Sequence, residues 1–402
     1  MPARQFSTLP PLSLYVHLPW CVKKCPYCDF NSHELKRDLP ENAYIDALLA
    51  DLAASLPDVQ GRRITSVFIG GGTPSLFSGA AIDRFMRGLR ALITLSLDAE
   101  VTMEANPGTA EQLRFDAYRK AGINRLSIGV QSFDNDKLRA LGRIHSGEEA
   151  VRAMTMARRA GFERVNLDLM LGLPGQTEAD ARADLEQALA LEPEHLSLYE
   201  LTLEPNTPFH RTPPAGLPAE DEIDGIQQLL HELLPAAGLD RYEVSAWARR
   251  GEASRHNLNY WRYGDYLGIG AGAHGKITRM ADMSIRRTRR PRHPRRYLAA
   301  EPPQQEDVEL VPVEDSAIDF MMNALRLTDG FPLPLFEAHT GVPLDIWQAA
   351  MDDAMARELL EISGMTLRPT ARGSRYLNSL LELFLPETPK TRCYPIMPLL
   401  AE

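Results

Sequence analysis

Cys21, Cys25 and Cys28 stand in "CVKKCPYC", three thiols within eight residues, while the fourth cysteine of the chain, Cys393, lies far away. Thiolates bind soft and borderline metals, and a pair spaced as in "CPYC" also supports dithiol exchange. A redox pair has no use for a third cysteine four residues upstream. A structural zinc ion takes four ligands, and His17 or His33 is near enough in sequence to complete such a set. An iron–sulfur cluster takes cysteine thiolates, usually four; a cubane held by three keeps one iron open for another ligand. Four cysteines in 402 residues, three of them grouped this way, point to a reducing compartment and to metal or redox chemistry rather than a disulfide. Cys393, in "TRCYP", reads as an ordinary tail thiol.

Other residues with chemical potential follow. "GGGTP" (Gly70–Pro74) offers glycines that permit close backbone approach, so that amides there could reach a ligand's polar end. Glu104, at the end of an apolar run, could pair with a cation or stand solvated. Gln131 closes another such run, and Arg143 follows it. Asp168 lies inside "NLDLMLG", where an unpaired carboxylate is costly, so it requires a partner or a ligand. His256 sits in "HNLNYW" and His274 in "GAGAH"; a histidine beside Tyr and Trp is most often an ordinary hydrogen-bonded residue.

Short β-rich runs must carry most of these groups: Leu12–Leu18, Ile64–Gly70, Ala99–Glu104, Arg125–Val130, Val165–Leu171 and His195–Leu201. Between them lie helical patterns such as "ENAYIDALLADLAASL" and "AIDRFMRGLRAL", with apolar residues three and four apart. Strands alternating with helices predict a parallel α/β sheet, here a partial (β/α)6 TIM-like barrel with its chemistry at the carboxyl ends of the strands. The runs end in "PWCVKKC", "GGGTPS", "EANPGT", "QSFDND", "GLPGQT" and "LEPNTP", which such a barrel gathers on one rim. Prolines thicken at Glu204–Pro218, which marks a linker. The predicted division is a core at 1–215, an extension at 216–300 and a smaller, mostly helical, winged-helix-like domain at 301–402.

A hydrophobic content of 44% supplies a large core, and a net charge of -10 argues against nucleic-acid binding by the whole chain. Residues 1–13 lack the basic start and apolar core of a secretory signal, and no stretch is apolar enough to span a bilayer, so a cytoplasmic location is expected. The basic run Arg286–Arg296 is the exception to the acidic balance.

Cys-x3-Cys-x2-Cys after the first strand of a βα barrel resembles the radical S-adenosylmethionine superfamily. The resemblance implies a [4Fe–4S] cluster on Cys21, Cys25 and Cys28. Its open iron would chelate S-adenosylmethionine, and one electron from the cluster would cleave the sulfonium to a 5′-deoxyadenosyl radical. Tyr27, the aromatic before the last cysteine, fits that pattern. "YVHLPWC", "GGGTPS", "EANP", "GVQSF" and "DLMLGLPGQT" occur in the order found in oxygen-independent coproporphyrinogen oxidases and their relatives, a likeness over most of the chain. It implies that Tyr15, Gly71, Gly72, Thr73 and Glu104 line the S-adenosylmethionine site, and that Gln131, Arg143 and Asp168 match positions contacting a second such molecule in the oxidases.

The chain departs from the oxidases at two places. Phe30 stands where they carry a further cysteine, and only fourteen residues precede Tyr15, which leaves no room for their N-terminal extension. "HNLNYW" instead resembles the heme-binding signature of the heme-chaperone branch, and "CDFNSH" and "GAGAH" look like that branch too. The implied function is to bind heme and deliver it to recipient hemoproteins such as respiratory enzymes, with His256 the first candidate for the heme ligand and His274 the second. This resemblance allows a homodimer and a peripheral membrane contact, and no nucleic acid is expected as a partner. Two alternatives remain at this level: a coproporphyrinogen dehydrogenase, and a radical enzyme acting on RNA through Arg286–Arg296. That run could equally meet heme propionates or anionic lipid.

Overall fold

A computed structural model describes residues 3–59, 61–108, 114–300 and 307–385. Cys393 lies outside the described residues. β1 (Leu12–Leu18), β2 (Ile64–Gly71), β3 (Leu95–Ala105), β4 (Arg125–Gln131), β5 (Arg164–Leu171) and β6 (His195–Glu200) are the six expected strands, each parallel to its neighbour. Their alternation builds two layers. On β1, Leu12, Leu14, Val16 and Leu18 join the main apolar core, while Ser13, Tyr15 and His17 take the opposite face. Helices cover the apolar side: α1 (Glu41–Ser55), α2 (Gly79–Leu92), α3 (Phe115–Ala121), α4 (Asn135–Ala140), α5 (Gly147–Arg159), α6 (Glu178–Ala190) and α7 (Glu220–Ala236). α2 starts where the Ser78 hydroxyl accepts the Ala81 amide and buries Ala81, Ile82, Phe85, Met86 and Leu89 against the sheet.

The sheet does not close on itself. It runs to twelve strands, with β7 (Asp240–Glu243) and β8 (Ala246–Ala248) beyond β6, and β9 (Asp265–Ile269), β10 (His274–Arg279), β11 (Ser284–Arg289) and β12 (Asp307–Leu310) beyond β1. β9 is parallel to β1, and β10 to β12 continue antiparallel. All five residues of β9 are buried, so its run carries no alternation, and its partner lies some 250 positions back; the sequence pattern therefore did not reveal it.

The C-terminal unit packs α9 (Val313–Ala324), α10 (Leu333–Thr340) and α11 (Gln348–Ala356) with a three-stranded antiparallel sheet that includes the hairpin Leu360–Ser363/Thr366–Pro369. Its core centres on Phe320, edge-on to Phe331 at 4.9 Å and Phe336 at 5.0 Å. Phe6, Tyr263 and Ile285 enter the same core, so the unit is built in part from residues of the N-terminus and the extension.

Four of the arginines in the run 286–296 are tied down. Arg286 pairs with Asp282, Arg287 with Asp319 and Arg289 with Asp307, and Arg290 is buried against Asp51 at 2.7 Å. Most of the run is therefore sheet and core structure. No helix among the described residues is long and apolar enough to cross a membrane.

Candidate functional site

The loop after β1 carries the cysteines. A short parallel ladder pairs Trp20–Cys21 with His33–Glu34 and closes the loop at its base. Within it the Cys28 amide donates to the Cys25 carbonyl at 3.2 Å. All three thiols are free and half-buried. Among the described residues no three Cys, His, Asp or Glu donors converge on the position of a single ion, as a zinc site requires. A cubane takes one thiolate per iron. His17 is unavailable as a zinc ligand because both ring nitrogens are engaged. Nε2 donates to the Asn31 carbonyl at 3.0 Å, which leaves Nδ1 to accept from the Tyr15 hydroxyl at 2.9 Å. Burial lowers its pKa to about 4, so the ring is neutral. Burial also raises the Cys21 thiol, and pushes the Cys28 thiol up to about 11. Stable thiolates there need a strong local cation.

The glycines of β2 are dictated by close packing. Gly71 has φ +123°, and a Cβ on it would stand 2.7 Å from the His17 ring; one on Gly72 would stand 2.5 Å from the Trp20 carbonyl oxygen. Their amides are consumed within the fold, contrary to the expectation that they reach out to a ligand. The Gly71 amide donates to Glu104 Oε2 at 3.0 Å, Gly72 to the Leu18 carbonyl and Thr73 to the Trp20 carbonyl. Glycine here lets β2 and β3 press against the cysteine loop.

Arg143 links the loop to the far rim. Its Nη1 lies 3.7 Å from Cys25 Sγ, while Nη2 donates to Asn106 Oδ1 and the Gly129 carbonyl, both at 2.8 Å. Burial works against its charge, but Tyr27 and Cys25 outweigh it and hold the pKa above the usual arginine value. Its Nε is buried and makes no hydrogen bond among the described residues, and a guanidinium so placed can take an anion. Tyr27 packs towards Phe209, 6.4 Å between rings, and burial raises its pKa. Gln131 sits at the rim with φ +68°, after a register shift between Gly129 and Gln131; a strained non-glycine backbone at a strand's carboxyl end is common at functional sites. Asp168 is buried on the polar face, where Ser127 donates to Oδ2 at 3.0 Å and Asn166 to Oδ1 at 2.5 Å. Burial raises its pKa to about 6.

Two contributors escaped the sequence reading. Asn106 donates to the Thr73 hydroxyl at 3.0 Å while accepting from Arg143, joining the glycine turn to the guanidinium. It lies in "EANP", whose Asn was the available signal. Asn166 and His195 form the polar network below Asp168, with His195 Nδ1 at 2.6 Å from Asn166 Oδ1 and Nε2 at 2.9 Å from the Tyr242 hydroxyl. Polar residues at alternate positions of otherwise apolar strands marked them.

The structure brings Tyr15, Gly71, Gly72, Thr73, Glu104, Gln131, Arg143 and Asp168 to the carboxyl half of the polar face beside Cys21, Cys25 and Cys28. His256 lies below them, its ring 6.4 Å from that of Tyr15. "HNLNYW" lies in α8 (Arg255–Trp261), which packs across the opposite, amino-terminal ends of the strands. Glu100 accepts the Arg255 amide at 2.9 Å, and Asn259 donates to the Ser13 hydroxyl at 2.8 Å. The His256 ring is 3% exposed, stacked on Phe68 at 5.0 Å, with Nδ1 3.5 Å from the Ser66 hydroxyl. Burial lowers its pKa to about 3. His274, by contrast, is exposed at the start of β10.

The parallel sheet, the three-thiol loop at the end of β1 and the polar face behind it define a radical S-adenosylmethionine protein. Residues 15–188 match the radical SAM superfamily and residues 311–376 the HemN C-terminal domain. Coproporphyrinogen III oxidase (HemN) from Escherichia coli shares the fold, with TM-score 0.78 and 23% identity over 94% of this chain and 90% of its own. Within that class the chain belongs to the heme chaperone HemW family. It is 51% identical to the heme chaperone HemW of Escherichia coli (strain K12) over 94% of this chain and 99% of that protein. It is 32% identical to that of Bacillus subtilis (strain 168) over 93% and 99%.

Proposed function

We propose that this protein binds heme and transfers it to recipient hemoproteins in the cytoplasm, on a core that holds a [4Fe–4S] cluster and S-adenosylmethionine. The observation that carries the reading is the likeness to a heme chaperone over essentially the whole chain. The likeness to the oxidase, at 23% identity, is one of fold. Phe30 in place of the oxidases' further cysteine supports the same side.

The donor set fits both groups. Cys21, Cys25 and Cys28 would hold the cluster, and its chemistry when loaded is one-electron cleavage of the sulfonium. Tyr15 and Tyr27, the turn Gly71–Thr73 and Glu104 would border the S-adenosylmethionine; Gln131, Arg143 and Asp168 would close the far side, where a second molecule would lie. Arg143 offers an Nε–H that makes no hydrogen bond among the described residues to a carboxylate, and Asp168 a negative charge to an ammonium or sulfonium. Tyr15 and His17 lock each other and keep the wall of the cavity rigid.

The test uses anaerobically reconstituted protein loaded with heme and mixed with an apo-hemoprotein. Transfer is expected to restore the recipient's Soret band, and incubation with coproporphyrinogen, reductant and S-adenosylmethionine is expected to give no vinyl product. Vinyl product without heme transfer would overturn the reading in favour of the oxidase. A Cys25→Ser variant is expected to lose the cluster's iron and sulfide; retention at the wild-type level refutes the ligand assignment.

A further inference from the structure

Asn166 stands in the middle of a row on the polar face. In register it pairs with Ser127 on β4 and with His195 on β6, and His195 pairs in turn with Ala248 on β8. Asp168 follows two residues along β5, on the same face. An amide side chain has a donor end and an acceptor end, and its neighbours decide which is which. One end of Asn166 lies 2.5 Å from Asp168 Oδ1 and 2.7 Å from the Ser127 hydroxyl. An amide oxygen that close to a carboxylate oxygen would be repelled, so this end is the NH2 group. Ser127 accepts from it and passes its own proton to Asp168 Oδ2 at 3.0 Å. Both carboxylate oxygens are therefore served while Asn166 keeps this orientation.

The acceptor end fixes the rest. Asn166 Oδ1 meets His195 Nδ1 at 2.6 Å and the Ser197 hydroxyl at 3.1 Å. His195 is buried, and burial, then Arg125, holds its pKa well below the usual histidine value, so the ring is neutral and has a single N–H. That proton sits on Nδ1 to serve the amide oxygen. Nε2 is then an acceptor, and it takes the Tyr242 hydroxyl proton at 2.9 Å. The Tyr242 oxygen in turn faces Asn257 Nδ2 of α8 at 3.5 Å. Tyr242 is itself anchored. Thr328 of the C-terminal unit donates its amide to the Tyr242 carbonyl at 3.0 Å and its hydroxyl to the Arg241 carbonyl at 2.7 Å. Every donor from Tyr242 onward thus points towards Asp168, and aligned hydrogen bonds strengthen one another. The charges acting on this chain are Arg143 on Asp168, and Arg125, paired with Glu100 at 3.4 Å, on His195.

We propose that His195 and Tyr242 are positioning residues for the cation that binds at Asp168: they hold the Asn166 amide with its NH2 group on the carboxylate. The inference rests on the reading that puts S-adenosylmethionine beside Asp168, and deepens it. Neither residue is required to touch the ligand. Without them the amide is free to turn and set its oxygen against Asp168. A protonated carboxyl accommodates that arrangement and an ionised one does not, so the charge that attracts the cation is lost.

S-adenosylmethionine is titrated calorimetrically into cluster-loaded full-length protein from pH 5.5 to 8, with the [4Fe–4S] absorbance and far-UV circular dichroism as checks on folding. His195→Phe removes both hydrogen bonds at similar shape. It is expected to raise the midpoint of the pH profile by about one unit, so that binding is about fivefold weaker than wild type at pH 6 and nearly equal at pH 8. Tyr242→Phe removes one hydroxyl and is expected to shift the midpoint the same way by less; if His195→Phe does not fold, an unshifted Tyr242→Phe profile overturns the proposal by itself. His195→Asn puts a donor back where Nδ1 stood and is expected to return the midpoint towards wild type. A His195→Phe profile that coincides with wild type overturns the proposal. So does one lowered by the same factor at every pH, which is the mark of a merely structural role, and so does a His195→Asn profile no better than that of His195→Phe. Asp168→Asn with wild-type affinity and pH slope removes the cation from this carboxylate altogether, which distinguishes failure of the underlying reading from failure of the positioning chain.

Discussion

Replacing His256 with Phe separates a floor residue from a heme ligand without heme in the cuvette. The ring is buried against Phe68 and its pKa falls to about 3. An ordinary histidine in the unfolded chain titrates near 6.5. The folded state therefore binds fewer protons, and stability present above the unfolded value is lost as pH falls below it. Between pH 7.5 and 5.5 one such residue removes about 1.3 kcal/mol, because the unfolded form protonates and the folded form does not. Phe cannot titrate, fills the same slot and keeps the stacking; it gives up only a long contact of 3.5 Å with Ser66, worth about 1 kcal/mol at most. Urea unfolding of the full chain by tryptophan fluorescence, at both pH values, reads the difference. The variant is expected to lose about 1.3 kcal/mol less than wild type on acidification. His256→Ala, which leaves a cavity, is expected to cost about 3 kcal/mol at either pH. Equal pH dependence in wild type and the Phe variant would refute the burial argument, since a ring that protonates freely is one that solvent, and heme, can reach.

Two further substitutions test the frame. Gly72→Ala drives a methyl into the Trp20 backbone carbonyl, so the cysteine loop must shift; the expected result is a folded chain by circular dichroism with sharply reduced iron and sulfide after reconstitution. Asp265 is buried, held by Lys276 at 2.9 Å and Arg62 at 2.8 Å, and Asp265→Asn strands two cations, with an expected cost of about 3–5 kcal/mol in urea unfolding.

The six strands were legible because each is short, β-rich and ended by a polar cluster, and the cysteine loop because its spacing is so specific. The rim followed, since parallel strands all deliver their last residues to one side. His256 shows the opposite case. Its motif marks a place where His, Asn, Tyr and Trp are all needed, but sequence does not say whether they face a ligand or one another. Here Asn259 holds Ser13, Tyr260 stands edge-on to Trp261 at 5.3 Å and Arg326 lies over Trp261 at 4.5 Å. Such contacts join segments far apart in the chain, as do the pairs that convert most of Arg286–Arg296 from a basic patch into sheet structure, and no local pattern encodes them.

Asp168 makes the polar face itself testable. Burial, partly offset by Ser127, Asn166 and Ser197, raises its carboxyl to about 6, and Arg143 pulls in the lowering direction across the face. His195, joined to it through Asn166, is held well below the usual histidine value by burial and then by Arg125, so it contributes no competing titration near neutrality. A cationic ligand beside Asp168 binds the ionised form best. Protonation then competes with binding: affinity is nearly full at pH 7 and falls about tenfold by pH 5, as the fraction ionised falls. Asp168→Asn removes this dependence and weakens binding at pH 7. Isothermal titration of S-adenosylmethionine into cluster-loaded protein at the two pH values measures both effects. A variant that keeps the wild-type pH slope would show that the titrating group lies elsewhere, and with it the cation's seat.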